Sequence, residues 1–387
     1  MAVYLDYAAS APLRPEAGEA WAAACVPANP SSVHAPGRAA RATVEAARET
    51  IARAFGADSA EVVFTSGGTE ADALALAGIF HARQVDAERP HVLISAVEHH
   101  AIGHTADILA ARHGATVTRL PVAADGIVAV ETIARVLERH GGQIAVISLI
   151  GANNETGAAQ PVDHAVALAG IHGVPVHSDW VQVAGKVPCD FDASGLAAAS
   201  ISSHKIGGPV GVGALLVRRD TPLVPVTGGG GQERGVRSGT VDARGAAGFA
   251  AAALAAGGHD LEALLAPLDA AVARSGGAAI CRTPPAHVPG TRLITVPGCS
   301  AEVLTYLLDR EGIAVSAGSA CTAGVVGPSH VLAAMGLGDE ATSGLRISVG
   351  WGSTSRDIDA LIEALPRVIE IARAAAAVPS PREGDRR

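Results

Sequence analysis

The feature that most constrains the fold is an alternation between residues 61 and 217, in which short apolar runs are separated mostly by alanine-rich segments of helical length. The runs are Glu61–Phe64, Val92–Ser95, Thr116–Leu120, Ile144–Leu149, Val174–His177, Ala198–Ser202 and Gly213–Val217. The spacers include Glu70 to about Arg83, Ala101–His113 and Glu131–His140. Runs this short and apolar suit strands buried on both faces, and the spacers suit crossover helices. The pattern predicts an α/β fold with a mostly parallel, helix-flanked sheet. Ligand sites in such sheets lie outside the carboxyl ends of the strands.

Beyond Val241 the rhythm changes. A helical stretch from Ala246 to about Ala256 leads to Pro284-Pro285, a strand at Leu293–Val296, a helix at Glu302–Arg310 and strands near Ile313 and Leu345. A last helix is expected from about Arg356 to Ala376, kinked at Pro366. These elements predict a smaller α+β C-terminal domain. At 387 residues the chain exceeds the size at which a single core stops growing, which favours two domains. The expected division is an N-terminal segment, 1–15, packing with the small domain, then a large domain, 16–256, and the small domain, 257–378. The polar tail, 379–387, is expected to be disordered.

Composition narrows the function classes. Hydrophobic residues make up 49% of the chain and aromatics 3%, which favours alanine-rich helices packed closely on a sheet over a β sandwich. A net charge of -9 offers no basic patch for nucleic acid. The five cysteines, Cys25, Cys189, Cys281, Cys299 and Cys321, include no pair at metal-ligand spacing. No metal site is expected, and scattered thiols suit a reducing cytoplasm. Neither a basic region followed by an apolar run at the N-terminus nor a membrane span is evident, so cytoplasmic localisation without a membrane partner is expected.

Polar clusters fall at the predicted strand ends. Asp179, Gln182 and Lys205 place an acid, an amide and a lysine together, which suits pyridoxal phosphate: that cofactor needs an amine for a Schiff base and a carboxylate for its pyridine nitrogen. Thr65-Ser66-Gly67-Gly68-Thr69, between a strand and a helix, reads either as a phosphate cup or as an ordinary βα turn capped by Thr69. Ser202 and His204, flanking Lys205, are further phosphate donors. Glu98-His99-His100 offers an imidazole that stacks on a ring and shuttles protons, or a structural hydrogen-bonder. Asn153-Asn154-Glu155-Thr156-Gly157 offers an amide to a ligand or is simply a turn. Gly318-Ser319-Ala320-Cys321-Thr322-Ala323-Gly324 surrounds a thiol with small residues, which suits an exposed, reactive cysteine. The other four cysteines are read as buried and inert.

Taken in order, these motifs resemble the cysteine desulfurases of the NifS and IscS type, fold type I enzymes of the class V aminotransferase group. The resemblance also takes in Tyr4-Leu-Asp-Tyr-Ala-Ala, Asn29-Pro-Ser-Ser-Val-His and the Gly228 to Thr240 stretch, and so covers nearly the whole chain. It implies pyridoxal 5'-phosphate joined to Lys205, with Asp179 at the pyridine nitrogen, Gln182 at the phenolic oxygen and His99 stacked on the ring. Gly68, Thr69, Ser202 and His204 would hold the phosphate, with Thr240 supplied by the other subunit of a homodimer. Asn154 would contact cofactor and substrate, and Asn29 and Arg346 would join it at the substrate carboxylate. Lys205 and His99 would move protons. Cys321 would take the sulfur of L-cysteine as a persulfide for an acceptor protein, such as an iron-sulfur scaffold or a tRNA-thiolation relay.

The sequence departs from the family pattern at Trp180-Val181, Gly207, Val210 and Val241-Asp242. The indole of Trp180 sits either beside the cofactor or behind it. Rival readings are a selenocysteine lyase, an aminotransferase or a kynureninase-like hydrolase and, from another class, a weakly active regulatory partner of a sulfur-transfer complex. Cys321 speaks against the aminotransferase and the hydrolase.

Overall fold

A computed structural model describes residues 3–25, 28–318 and 327–376. The chain opens on a two-residue strand, β1 (Val3–Tyr4). Seven strands then form the large sheet: β2 (Val62–Thr65), β3 (His91–Ser95), β4 (Thr116–Leu120), β5 (Ile144–Ile150), β6 (Val176–Asp179), β7 (Ala198–Ser202) and β8 (Gly213–Val217). Their spatial order is β2-β8-β7-β6-β5-β3-β4. All pairings are parallel except those of β8, which is antiparallel to both β2 and β7. Two reversals restore direction, so β2 runs the same way as β7. The carboxyl ends of β2, β3, β5, β6 and β7 therefore share one edge.

Side-chain alternation explains why helices cover both faces of this sheet. Val62, Phe64, Leu93, Ile147 and Leu149 join one core with Val44, Ile51, Phe55 and Phe249. Val63, Val92, Ile94 and Val146 face the opposite way, against Leu74, Ile79, Phe80 and Ile102. The first face is covered in part by helices Ala35–Ala54 and Ala243–Ala255, the second by Gly68–Ala82 and His100–His113.

A four-stranded antiparallel sheet follows, from β9 (Ile280–Cys281), β10 (Thr291–Thr295), β12 (Ser316–Ala317) and β13 (Gly344–Ser348), in the order β12-β13-β10-β9. The short strand β11 (Ile313–Ala314) pairs in parallel with β1. Leu5 packs in the core of this C-terminal region with Leu265, Leu304, Ile347 and Leu361. The N-terminal segment is thus held by residues more than 300 positions away, and Ser348 N donates to Leu5 O at 2.8 Å. No helix among the described residues is long and apolar enough to cross a membrane.

Two helices, Pro15–Ala23 and Ala35–Ala54, precede the first expected strand, where sequence analysis assigns no element. Each has a proline at its first turn, where the missing N–H costs nothing, although proline otherwise signals a break. Leu261–Arg274 likewise contains Pro267, and Ser355–Ala376 is one helical element across Pro366. The strand expected at Val174–His177 is displaced to Val176–Asp179, so Asp179 is its last residue. Cys25 corrects the expectation of four buried thiols: it is exposed beyond the end of Pro15–Ala23, whose buried residue is Ala17. Cys189 and Cys281 are only half-buried, a second departure from that expectation, and Cys299 is buried; burial nonetheless pushes the Cys189 thiol up to about 12.

Candidate active site

A cavity of about 250 Å³ opens at the shared carboxyl edge of the large sheet. Gly68, Thr69, His99, Asn154, Asp179, Gln182, Ser202, His204, Lys205 and Arg346 all line it. Of the expected site residues, Asn29 and Thr240 are exposed and outside this lining, and the Asn29 side chain accepts from Ser31 N at 2.8 Å. Cys321 lies outside the described residues.

One wall comes from the sheet. Asp179 ends β6, and its Oδ1 accepts from Val181 N at 2.8 Å. Burial pushes its carboxyl up to about 6, against the opposing pull of that amide and of Lys205. Two further buried acids stand nearby. Burial, and then the Asp179 charge, raise Asp72 well above the usual carboxylate range, and burial raises Glu98 to about 8. Glu98 Oε1 accepts from Ser95 N, Ser95 Oγ and Ile150 N, tying the ends of β3 and β5 together. Behind the wall, His177 bridges Ser148 Oγ and Ser200 Oγ at 2.9 Å each, and burial lowers its imidazole to about 3.

The phosphate-cup alternative for Thr65 to Thr69 has physical support. Gly67 has φ 153° and the helix Gly68–Ala82 starts at the cavity, so its first amides are available to an anion. Ser202 Oγ is buried without a hydrogen-bond partner. A Cβ on Gly68 would come within 2.7 Å of Val181 Cγ2, so only a bare backbone fits beside that side chain. An anionic group facing these donors would satisfy the Ser202 hydroxyl, and the acid and amine across the cavity suit a pyridine ring and its aldehyde carbon. The residues therefore fit pyridoxal phosphate.

His99 caps the helix His100–His113, its Nδ1 accepting from Ala101 N at 3.2 Å. Burial first, then Lys205 and neighbouring histidines, lower His99 to about 4, so near neutral pH the ring is uncharged and its proton sits on Nε2. Burial and Lys205 similarly lower His204 to about 4. Asp72, His99 and Asp179 bring donor atoms within 4.8 Å of one another, the one such cluster among the described residues. The cationic side chains of Lys205 and Arg346 in the same cavity oppose a metal ion and favour an anion.

The other wall comes from distant chain. Lys205 Nζ donates to Ala8 O at 2.6 Å and to Ala9 O at 3.0 Å. Arg346, on β13 and 2% exposed, donates to Asp6 Oδ1 at 2.8 Å and to Asn154 O at 3.0 Å. Its Nε is buried without a partner. Asn153 holds the preceding turn by donating to Val97 O and accepting from Glu155 N and Thr156 N.

The departures at Trp180 and Gly207 have structural reasons. Trp180 is 7% exposed, absent from the cavity lining, and packs edge-on against Phe191 with centroids 6.3 Å apart. It lies behind the site, where glycine at 151 makes room: a Cβ there would be 3.0 Å from Trp180 Cδ1. Gly207, at φ 85°, lets the 11–14 segment approach, since a Cβ would meet Arg14 Cγ at 2.6 Å. Val210 is exposed.

Asp72, Asp6, Lys186 and the carbonyls of Ala8 and Ala9 carry no role in the sequence pattern alone. Asp72 was within reach, since it stands one helical turn after Gly68 and so faces the same way. Glu233 is another: its carboxylate accepts from Arg48 and from Phe64 N, anchoring the 228–240 stretch to β2.

The class-V aminotransferase family model matches residues 3–361. An IscS-like cysteine desulfurase of Mycobacterium tuberculosis (strain ATCC 25618 / H37Rv) is 45% identical, covering 96% of this chain and 98% of the relative. The cysteine desulfurase NifS of Azotobacter vinelandii is 37% identical over 88% of this chain and 85% of its own. Among solved structures, a NifS-like protein from Rickettsia africae ESF-5 superposes with a TM-score of 0.84 at 32% identity, covering 96% of this chain and 100% of that one. SspA in complex with cysteine gives 0.79 at 30% identity, covering 90% and 98%.

Proposed function

The chain belongs to the class-V aminotransferase family, among the cysteine desulfurases of the NifS and IscS type, and from that membership we propose how its residues remove sulfur from L-cysteine. The observation that carries the proposal is the meeting, in one cavity, of Lys205, the buried acid Asp179 and the unsatisfied Ser202 hydroxyl beside the start of the Gly68 helix. Pyridoxal 5'-phosphate, when bound, supplies an electron sink for charge developing at the substrate Cα. Lys205 would hold it covalently and carry the Cα proton. Asp179 would face the ring nitrogen, where its carboxylate would hold a proton. Gln182 would face the phenolic oxygen. The Gly68 and Thr69 amides, Ser202 and His204 hold the phosphate.

His99, kept neutral by burial, would pack on the ring and has an Nε2 proton to give. Asn154 contacts cofactor and substrate, and together with Asn29 and Arg346 it orients the substrate carboxylate, for which the arginine fork is suited. The Cys321 thiolate attacks the substrate sulfur. The S–S bond forms as the C–S bond breaks, the bonding pair of the C–S bond stays with the organic fragment, and protonation of that fragment yields L-alanine. Cys321 keeps the sulfur as a persulfide for an acceptor protein, an iron-sulfur scaffold or a thiolation relay. SspA, similar in structure, has been solved with cysteine bound, which supports the substrate. Exposure of Thr240, away from its own chain's cavity, supports a homodimer in which it serves the other subunit. Residues 16–256 and 257–378 are proposed as the two domains, and the cytoplasm as the location.

Incubation of the cofactor-loaded protein with L-cysteine should yield alanine together with added sulfur mass on Cys321. Lys205→Ala should lower turnover by about a thousandfold or more and remove the visible band of the lysine-bound cofactor. Cys321→Ala should keep that band and lose sulfur release. Undiminished sulfide production by Cys321→Ala would sink the persulfide route.

A further inference from the structure

The stretch after β6 carries a lysine with no part in the chemistry above. Lys186 Nζ donates to Gln182 Oε1 at 2.8 Å, and Gln182 Nε2 donates to Ala8 O at 2.8 Å. The same carbonyl accepts from Lys205 Nζ at 2.6 Å. The two ends of a glutamine amide are alike in shape, so hydrogen-bond partners decide which way it points. Here both partners agree, because a backbone carbonyl only accepts and an ammonium only donates. Nε2 keeps a second hydrogen beyond the one given to Ala8.

Lys186 does not line the cavity that holds Asp179 and Ser202. It lines a neighbouring pocket of about 40 Å³, shared with Lys205, Arg14, His259 and Trp351, in which no acidic residue takes part. Its hydrogen-bond acceptor is a neutral amide, and no carboxylate lines this pocket to offset its charge. Burial, then Lys205 and Arg346, lower its ammonium to about 7. Near pH 7 the amine is therefore charged only in part, and its hydrogen bond to Gln182 passes its influence to whatever Gln182 touches.

We propose that Lys186 is a positioning residue for the cofactor site: it holds the Gln182 carbonyl away from the cavity, so that Gln182 would present an N–H to the phenolic oxygen of pyridoxal phosphate, and where it is protonated it adds a positive charge behind that contact. This rests on the cavity being a pyridoxal phosphate site. Without Lys186 the amide is free to turn and offer its oxygen, which repels a phenolate. Both the lost charge and the lost N–H contact leave a proton more tightly held on the cofactor and its lysine linkage, so the two effects share a sign.

The test follows the visible absorption of the cofactor-loaded protein between about pH 6 and pH 10, with the affinity of the cofactor-free protein for pyridoxal phosphate measured in parallel. Lys186→Met should move the spectral transition up by about one pH unit and weaken cofactor binding several-fold, whereas Lys186→Arg should titrate near the parent. A merely structural lysine would change the thermal midpoint without moving the transition. Should Lys186→Met not fold, Lys186→Gln carries the test, since it keeps a donor, loses the charge and should show a smaller upward shift. A transition unmoved in these folded variants overturns the role of Lys186. A parent protein with no visible band on adding the cofactor overturns the site reading instead.

Discussion

The two walls of the cavity are built by different rules. On the sheet wall, functional groups are held by neighbours in sequence: Asp179 by the amide of Val181, His99 by that of Ala101, and Gly68 and Thr69 by their place at a helix start. On the opposite wall, Arg346 meets Asp6, and Ala8 N donates to Ser348 Oγ, each across 340 residues. Local geometry therefore sets Asp179, His99 and the phosphate-facing turn, whereas the docking of the N-terminal segment onto the C-terminal sheet sets Arg346 and, through the carbonyls of Ala8 and Ala9, also holds Lys205 and Gln182. The contrast teaches that folding errors far from the large sheet should reach Arg346 and the groups held by the N-terminal segment before they reach Asp179 and the phosphate-facing turn.

Trp180→Ala is the harshest test of this division on the stability side. Removing an indole this deeply buried should cost about 3–5 kcal/mol, seen in thermal or denaturant unfolding, while the position of the cofactor band stays put. A displaced band would mean that Trp180 touches the cavity after all.

Arg346→Lys tests the distant wall. Lysine cannot make the fork that reaches both Asp6 and Asn154 O, and loss of charge-assisted hydrogen bonds of about 1.5–3 kcal/mol should raise KM about tenfold to a hundredfold. The cofactor band should be unchanged. An equal loss of cofactor affinity would show that the walls are not separable.

The most gradual effect, spread over several pH units, is expected at Glu98, beneath the sheet wall. Its folded pKa of about 8 lies above its ordinary value, so the folded protein keeps a proton that the unfolded chain releases. That contribution to stability is present in full below about pH 4.5 and is lost as pH rises toward 8, at up to about 1.4 kcal/mol per pH unit. Glu98→Gln, neutral throughout, should flatten the fall of the cofactor-loaded protein's thermal midpoint between those limits. Parallel pH curves for parent and variant would mean that Glu98 is ionised in the fold.

Much of the sheet wall was legible beforehand. Strands β4, β7 and β8 have the expected bounds, and the acid, the lysine and the glycine-rich turn needed only the rule that such sheets bind at their carboxyl ends. Less legible was anything that depended on proline, because a proline in a helix's first turn and one that ends a helix look alike in a string. Also hidden were Asp6, Lys186 and the Ala8 carbonyl, whose significance comes from contacts that no sequence spacing encodes.

What the amino-acid order determined by itself was the α/β alternation and the chemical type of each group at the strand ends, since both follow from short-range periodicity and side-chain chemistry. Tertiary structure alone decided that β2 runs with β7, which brings the phosphate-facing turn to the lysine, and that Trp180 faces the core. It also decided which end of Gln182 faces the site. Each of these depends on partners brought together by packing, where burial strengthens polar contacts and leaves little freedom for an unmatched group.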